Sequence, residues 1–60
     1  MIRIGSRVTA RADRIKRVGK VFAIRTGQYT GLTMYSVEFP GKDNPSLGFY
    51  FGEEIEEVRE

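Results

Sequence analysis

Two groups of charged residues in this 60-residue chain are dense enough to do chemistry. Glu53, Glu54, Glu56, Glu57 and Glu60 crowd the C-terminus. Paired carboxylates act as general acid and base, or bind a hard cation. Their spacing here places them on one helical turn and a short closing strand, where a solvated face is the expected role. A match to the basic segment of a neighbouring copy is the alternative. The second group is Arg11, Arg14, Lys16, Arg17 and Lys20, with Arg3 and Arg7 just before it. A basic loop beside a basic strand face neutralises phosphates or an acidic protein surface. Such charges also protect an edge strand from aggregation.

The rest of the composition narrows the chemistry. There is no histidine, so the commonest general base and the commonest metal ligand are both missing. There is no cysteine, which removes disulfides and thiolate metal sites and suits a cytoplasmic protein. Gly27 and Gly31 bound a turn and lack the lysine, spacing and following helix of a phosphate-binding loop. No catalytic residue, metal site or cofactor is expected. The net charge of +2 conceals an asymmetry: residues 1–30 carry eight basic residues and one acid, residues 31–60 two basic residues and seven acids. That division points to a charged partner. An acidic protein is the first expectation. Nucleic acid is the alternative, with Tyr29, Phe22 and Tyr50 as bases' stacking partners, and the acidic second half opposes it.

These residues need a scaffold, and the alternation of apolar positions supplies one. Ile2, Ile4, Val8 and Ala10 share one parity; Arg3, Arg7, Thr9 and Arg11 share the other. Successive side chains of a strand face opposite ways, so this reads as a first strand with an arginine-rich outer face. Ala12 to Arg17 is a polar loop. Gly19 opens a second strand, Lys20 to Thr26, in which both parities are apolar. Cover on both sides would explain that, as would a bulge that switches parity midway; the preferred reading puts Val21 and Ile24 inside and Phe22 partly outside. Gly27 to Gly31 turns the chain. Tyr35, Val37 and Phe39 alternate with Met34, Ser36 and Glu38 as a third strand. Pro40 to Ser46 is a loop by composition. Leu47, Phe49 and Phe51 alternate with Gly48 and Tyr50 as a fourth strand. Gly52 to Ile55 reads as one helical turn, and Glu56 to Val58 as a closing strand. Phe22, Met34 and Tyr50 are expected to form an exposed apolar strip, although Tyr50 could instead pack under a loop.

The pattern Gly5-Ser6-Arg7-Val8, Val18-Gly19-Lys20-Val21, Tyr35-Ser36-Val37-Glu38-Phe39 and Glu54-Ile55-Glu56-Glu57-Val58 resembles the SH3-like barrels of the photosystem I reaction-centre subunit IV type. The resemblance covers nearly the whole chain and implies the barrel fold. That family recruits ferredoxin through basic residues, none of which maps onto one position here. Gly5-Ser6-Arg7-Val8 also resembles the "GDRV" of the plasmid type II dihydrofolate reductases, tetramers with one shared pore. Their Gln-Ile-Tyr pore motif falls on Gly48-Phe49-Tyr50, and their pore lysine near Ala10, so only the tyrosine is kept. Compared with the peptide-binding SH3 domains, this chain has no tryptophan and no Ala-Leu-Tyr-Asp-Tyr-like segment, which disfavours proline-motif binding.

The expectation is therefore one all-β domain over residues 1–60, a small five-stranded SH3-like barrel with one short 3-10 turn before the last strand. It acts as a non-enzymatic binding module. Its partner surface comprises Arg3, Arg7, Arg11, Arg14, Lys16, Arg17, Lys20, Phe22, Met34 and Tyr50. No apolar run approaches the ~20 residues that span a bilayer, so a soluble cytoplasmic protein without membrane insertion is expected. A domain of this size buries only about 60% of its unfolded surface, and homo-oligomerisation is one way to add stability.

Overall fold

The computed structural model describes residues 2–58. It is all-β, as expected. Five strands, β1 (Arg7–Ala10), β2 (Gly19–Thr26), β3 (Thr33–Phe39), β4 (Ser46–Phe51) and β5 (Ile55–Glu57), form one antiparallel sheet in the order β4-β3-β2-β1-β5. A single 3-10 turn, Gly52–Glu54, precedes β5.

The connection between the two edge strands forces the sheet to roll. In a flat sheet β4 and β5 would lie four strand spacings apart, roughly 19 Å. The four steps from Phe51 to Ile55 reach at most about 14 Å. The sheet curls accordingly but does not close into a barrel: β4 and β5 remain its edges, joined by the 3-10 turn instead of a hydrogen-bonded ladder.

Inside the curl, Val8, Val21, Val37, Phe39 and Ile55 form the core, each at most 2% exposed. Ile2, Ile24, Tyr35 and Tyr50 pack around them. β2 carries the bulge. Val21 pairs with Val37 and Ala23 with Ser36, so Phe22 is the extra residue. It lets Val21 and Ile24 both face the core and turns Phe22 outwards, as the sequence led one to expect.

Two expectations are corrected. The first strand begins at Arg7, and Ile4 is 65% exposed. Gly5, at φ +96°, breaks the extended run. A turn replaces it, in which Ser6 N–H donates to the Arg3 carbonyl at 2.9 Å and Ser6 Oγ accepts from Arg3 N–H at 3.0 Å. Of Ile2 and Ile4, only Ile2 still packs against the core. The second correction concerns Tyr50. The register pairs Tyr35 with Tyr50 and Val37 with Gly48, which puts Gly48 and Tyr50 on the core side of β4. A Cβ built on Gly48 would lie 2.6 Å from the Tyr50 ring, so the missing side chain is the space the ring occupies. From there Tyr50 meets Phe39 edge-on, with centroids 6.2 Å apart and planes at 87°.

Candidate functional site

The outward turn of Leu47, Phe49 and Phe51 follows from the placement of Tyr50, because strand neighbours face opposite ways. Phe49 is 63% exposed and Leu47 58%. The register sets out three rows across the outer face. Leu47 adjoins Glu38, then Lys20, then Arg7. Phe49 adjoins Ser36, then Ala23, with the bulged Phe22 beside it. Phe51 adjoins Met34, then Arg25. The middle row holds the small side chains. Phe22, Met34, Leu47, Phe49 and Arg25 therefore wall an open depression of about 450 Å³ floored by Ala23 and Ser36.

Of the residues expected to bind a partner, the structure brings Phe22 and Met34 to this depression and Lys20 and Arg7 to its flank. It removes Tyr50, which is half-buried against Phe39. The residues sequence reasoning missed are Leu47, Phe49, Phe51 and Arg25. The signal was Gly48: a glycine inside a strand offers nothing to bury, yet leaves room for an aromatic neighbour on its own face.

The basic loop divides differently. Asp13 organises it. Its carboxylate accepts from Ile15 N–H, Arg17 N–H and Arg17 Nε, each at 3.1 Å. Arg17 lies over the Phe39 ring with its guanidinium carbon 5.1 Å from the centroid, closing the core from that side. Lys16, at φ +58°, donates from Nζ to the Arg11 carbonyl at 3.0 Å. Arg11 sits 3.8 Å from Glu56 across an exposed ion pair. Arg11, Lys16 and Arg17 thus hold the loop to the sheet. Arg14 and the turn residue Arg3 stand apart from the depression.

Desolvation of the Asp13 carboxyl raises its pKa, but the hydrogen bonds from Arg17 backbone, Arg17 side chain and Ile15 backbone, with the Arg17 charge, outweigh it, and Asp13 lies below the ordinary carboxylate value. A carboxyl depressed in the folded state contributes stability above its unfolded pKa and loses it as pH falls through the folded value. Asp13→Asn is therefore expected to lower the melting temperature at pH 7 and to flatten its decline below about pH 4. Equal acid sensitivity of wild type and variant, read by circular dichroism melts from pH 7 to 2, would contradict this role.

Among the described residues no group of three or more His, Cys, Asp or Glu side chains is placed to hold a metal ion, and no helix is long and apolar enough to cross a membrane. Gly48 and Tyr50, onto which the resemblance set the reductase pore motif, face the core, and Ala10 is 6% exposed. Comparison with protein-family models, with curated proteins and with solved structures finds no match to this chain.

Proposed function

We propose that this chain is a non-enzymatic docking module whose outer sheet face receives a partner protein bearing an apolar anchor flanked by acidic residues. The observation that carries the reading is the depression over Ala23 and Ser36. Large apolar side chains wall a floor of small ones, with a guanidinium at the rim. Aromatic residues, methionine and arginine are the side chains enriched where proteins bind proteins. The exposed parts of Phe22, Met34, Leu47, Phe49 and Phe51 amount to roughly 450 Å², the size of the largest patch on a typical monomer. A partner's apolar side chain enters the depression, and its carboxylates meet Arg25 at one end and Lys20 at the other. Arg3, Arg7, Arg11, Arg14, Lys16 and Arg17 add a positive field that favours an acidic partner and speeds its approach.

A partner captured from the source lysate and then purified gives the test. Phe49→Ala is expected to weaken its binding at least about 30-fold, the behaviour of an anchor in a desolvated pocket. Lys20→Glu with Arg25→Glu is expected to slow association and remove much of the salt dependence. Arg14→Glu is expected to change affinity less than threefold. Unchanged binding in the Phe49 and Lys20/Arg25 variants would sink the reading. A second reading rests on Phe22, Phe49 and Phe51 sharing a face with Lys20 and Arg25, the elements of a single-strand stacking platform. Met34, Leu47 and Glu38 on the same face favour protein. Tight binding of single-stranded oligonucleotides at low salt, falling steeply as salt rises, would transfer the site to nucleic acid.

A further inference from the structure

The free edge of β4 is a pairing surface, and the occupant we propose for it is a second copy of this chain, joined about a two-fold axis at Gly48. The backbone groups that face outwards define this surface. Glu54 Oε1 accepts from Phe51 N–H at 2.8 Å, so the Phe51 amide points away from β3. In an antiparallel ladder, alternate residues direct both N–H and C=O to the same neighbour. Leu47 and Phe49 therefore also direct theirs to the free edge, while Ser46, Gly48 and Tyr50 face β3. No backbone hydrogen bond within the described residues reaches the edge groups of Leu47 and Phe49.

The exposed window is short and has defined ends. At one end Pro45 has no N–H to offer. At the other the Phe51 N–H is already occupied. Between them stand two donors and two acceptors. A two-fold centred on Gly48 places Leu47 opposite Phe49 of the second copy, and Phe49 opposite its Leu47. Each of these facing pairs exchanges both of its hydrogen bonds, four in all. Phe51 then opposes Pro45 of the copy, a pair in which neither side has an N–H to give, so the ladder ends without a stranded donor. Gly48 opposes its own counterpart at the close, non-hydrogen-bonded spacing of about 4.5 Å, where the absence of side chains leaves both Tyr50 rings in place. A shift of the centre to Leu47 would set Phe49 against Pro45, which has no N–H for the Phe49 carbonyl; a shift to Phe49 would oppose the Leu47 carbonyl to the occupied Phe51 amide. Only the centre at Gly48 lets both Leu47 and Phe49 exchange a full pair of bonds.

Charge selects this edge over the other. Ser46–Phe51 carries no charged residue, no proline and no bulge, the devices that keep natural edges apart. β5, the opposite edge, is three residues long and carries Glu56 and Glu57, which would repel a second copy. The pairing also joins the two outer apolar faces, with Leu47 and Phe49 of each copy forming cross-strand contacts. The interface is small, at the low end of specific contacts, so the dimer is reversible. It leaves both depressions open on one continuous face. It stands independently of the docking reading.

Sedimentation equilibrium of the full chain from about 1 μM to 1 mM, a range set by the size of the interface, is expected to show the mass rising from 6.8 kDa towards twice that value. Leu47→Pro deletes an edge donor without touching the β3 ladder and is expected to raise the dissociation constant at least about tenfold. Leu47→Lys keeps the backbone, charges the seam, and is expected to do the same. In the wild type, exchange of the Leu47 and Phe49 amides is expected to slow in step with the mass. A monomer at 1 mM, a dimer undiminished in both variants, or edge amides that exchange freely where the mass has doubled would each overturn the proposal. So would protection of those amides only by a foreign partner bound to a monomer. Lys20→Glu with Arg25→Glu leaves the mass unchanged while testing partner docking, so either idea can fail alone.

Discussion

Ile55→Ala is expected to leave the chain largely unfolded at room temperature. Ile55 opens β5, pairs with Ala10 across β1 and is 1% exposed. Among the described residues it is one of five side chains in the core cluster. Truncating a buried isoleucine costs about 2–5 kcal/mol, from lost transfer energy and from the cavity left behind. A chain of this length has about 3–5 kcal/mol available from its core, and no cysteine is present to staple it. The same deletion in a large domain would be absorbed. Here it removes most of the margin and also frees β5, whose pairing with β1 keeps the sheet curled. At fixed protein concentration, where self-association cannot shift the comparison, the melting temperature is expected to fall by at least about 15 °C or the cooperative transition to vanish. Ile55→Val should cost only about 0.5–1.5 kcal/mol. A cooperative melt within about 5 °C of wild type for the alanine variant would show that Ile55 is not the keystone of this core.

Gly48→Ala is the second large effect, and it acts on fold and site together. The added methyl would meet the Tyr50 ring at 2.6 Å and its hydroxyl at 2.7 Å. The ring must swing away, which loses its edge-on contact with Phe39, about 0.5–1.5 kcal/mol, and uncovers part of the core it now shields. Together with the strain of overpacking, the expected cost is about 1–3 kcal/mol, a large share of the total. The mechanism makes a sharper claim than the size of the loss. If the methyl acts by expelling the ring, then removing the ring in advance removes the penalty. The double variant Gly48→Ala/Tyr50→Ala should be about as stable as Tyr50→Ala alone, a coupling that a urea-melt double-mutant cycle reads directly. Additive losses would mean that Gly48 matters for its backbone, not for the room it gives Tyr50.

Much of this fold was legible because its signals are local. The alternation Tyr35, Val37, Phe39 fixes which face of β3 is buried, and the structure places Val37 and Phe39 in the core. The double apolar parity of Val21 to Ile24 is the trace of a bulge, and a bulge is there. The acidic residues Glu53 and Glu54 lie on the expected 3-10 turn. Alternation alone carries the first strand through Gly5, whereas the positive φ of that residue breaks the extended run.

The candidate site was less legible. Phe22 and Met34 were identifiable as outward residues from their own strands. Leu47 and Phe49 were not, because the facing of β4 depends on which parity wins the core. Leu47, Phe49 and Phe51 are together more apolar than Gly48 and Tyr50, and composition alone would bury them. Register with β3 decides otherwise, because Tyr50 reaches Phe39 only across the empty position at Gly48. The basic segment shows the converse. Its charges are plain in the sequence, but the hydrogen bonds that commit Arg17 and Lys16 to holding the loop depend on how that loop closes around Asp13.

The chain by itself determined an all-β fold with five strands, an acidic turn before the last, and a second strand whose double apolar parity called for either a bulge or cover on both faces. Those features depend on residue type and on spacing within one strand. Tertiary structure alone decided the side of β4 that meets the solvent, the union of Phe22, Met34, Leu47 and Phe49 around one depression, and the outward direction of the Leu47 and Phe49 amides. These depend on the register between neighbouring strands, which the pattern within any one strand does not fix. A slip of one residue in that pairing would exchange the two faces of β4, and with them the candidate site.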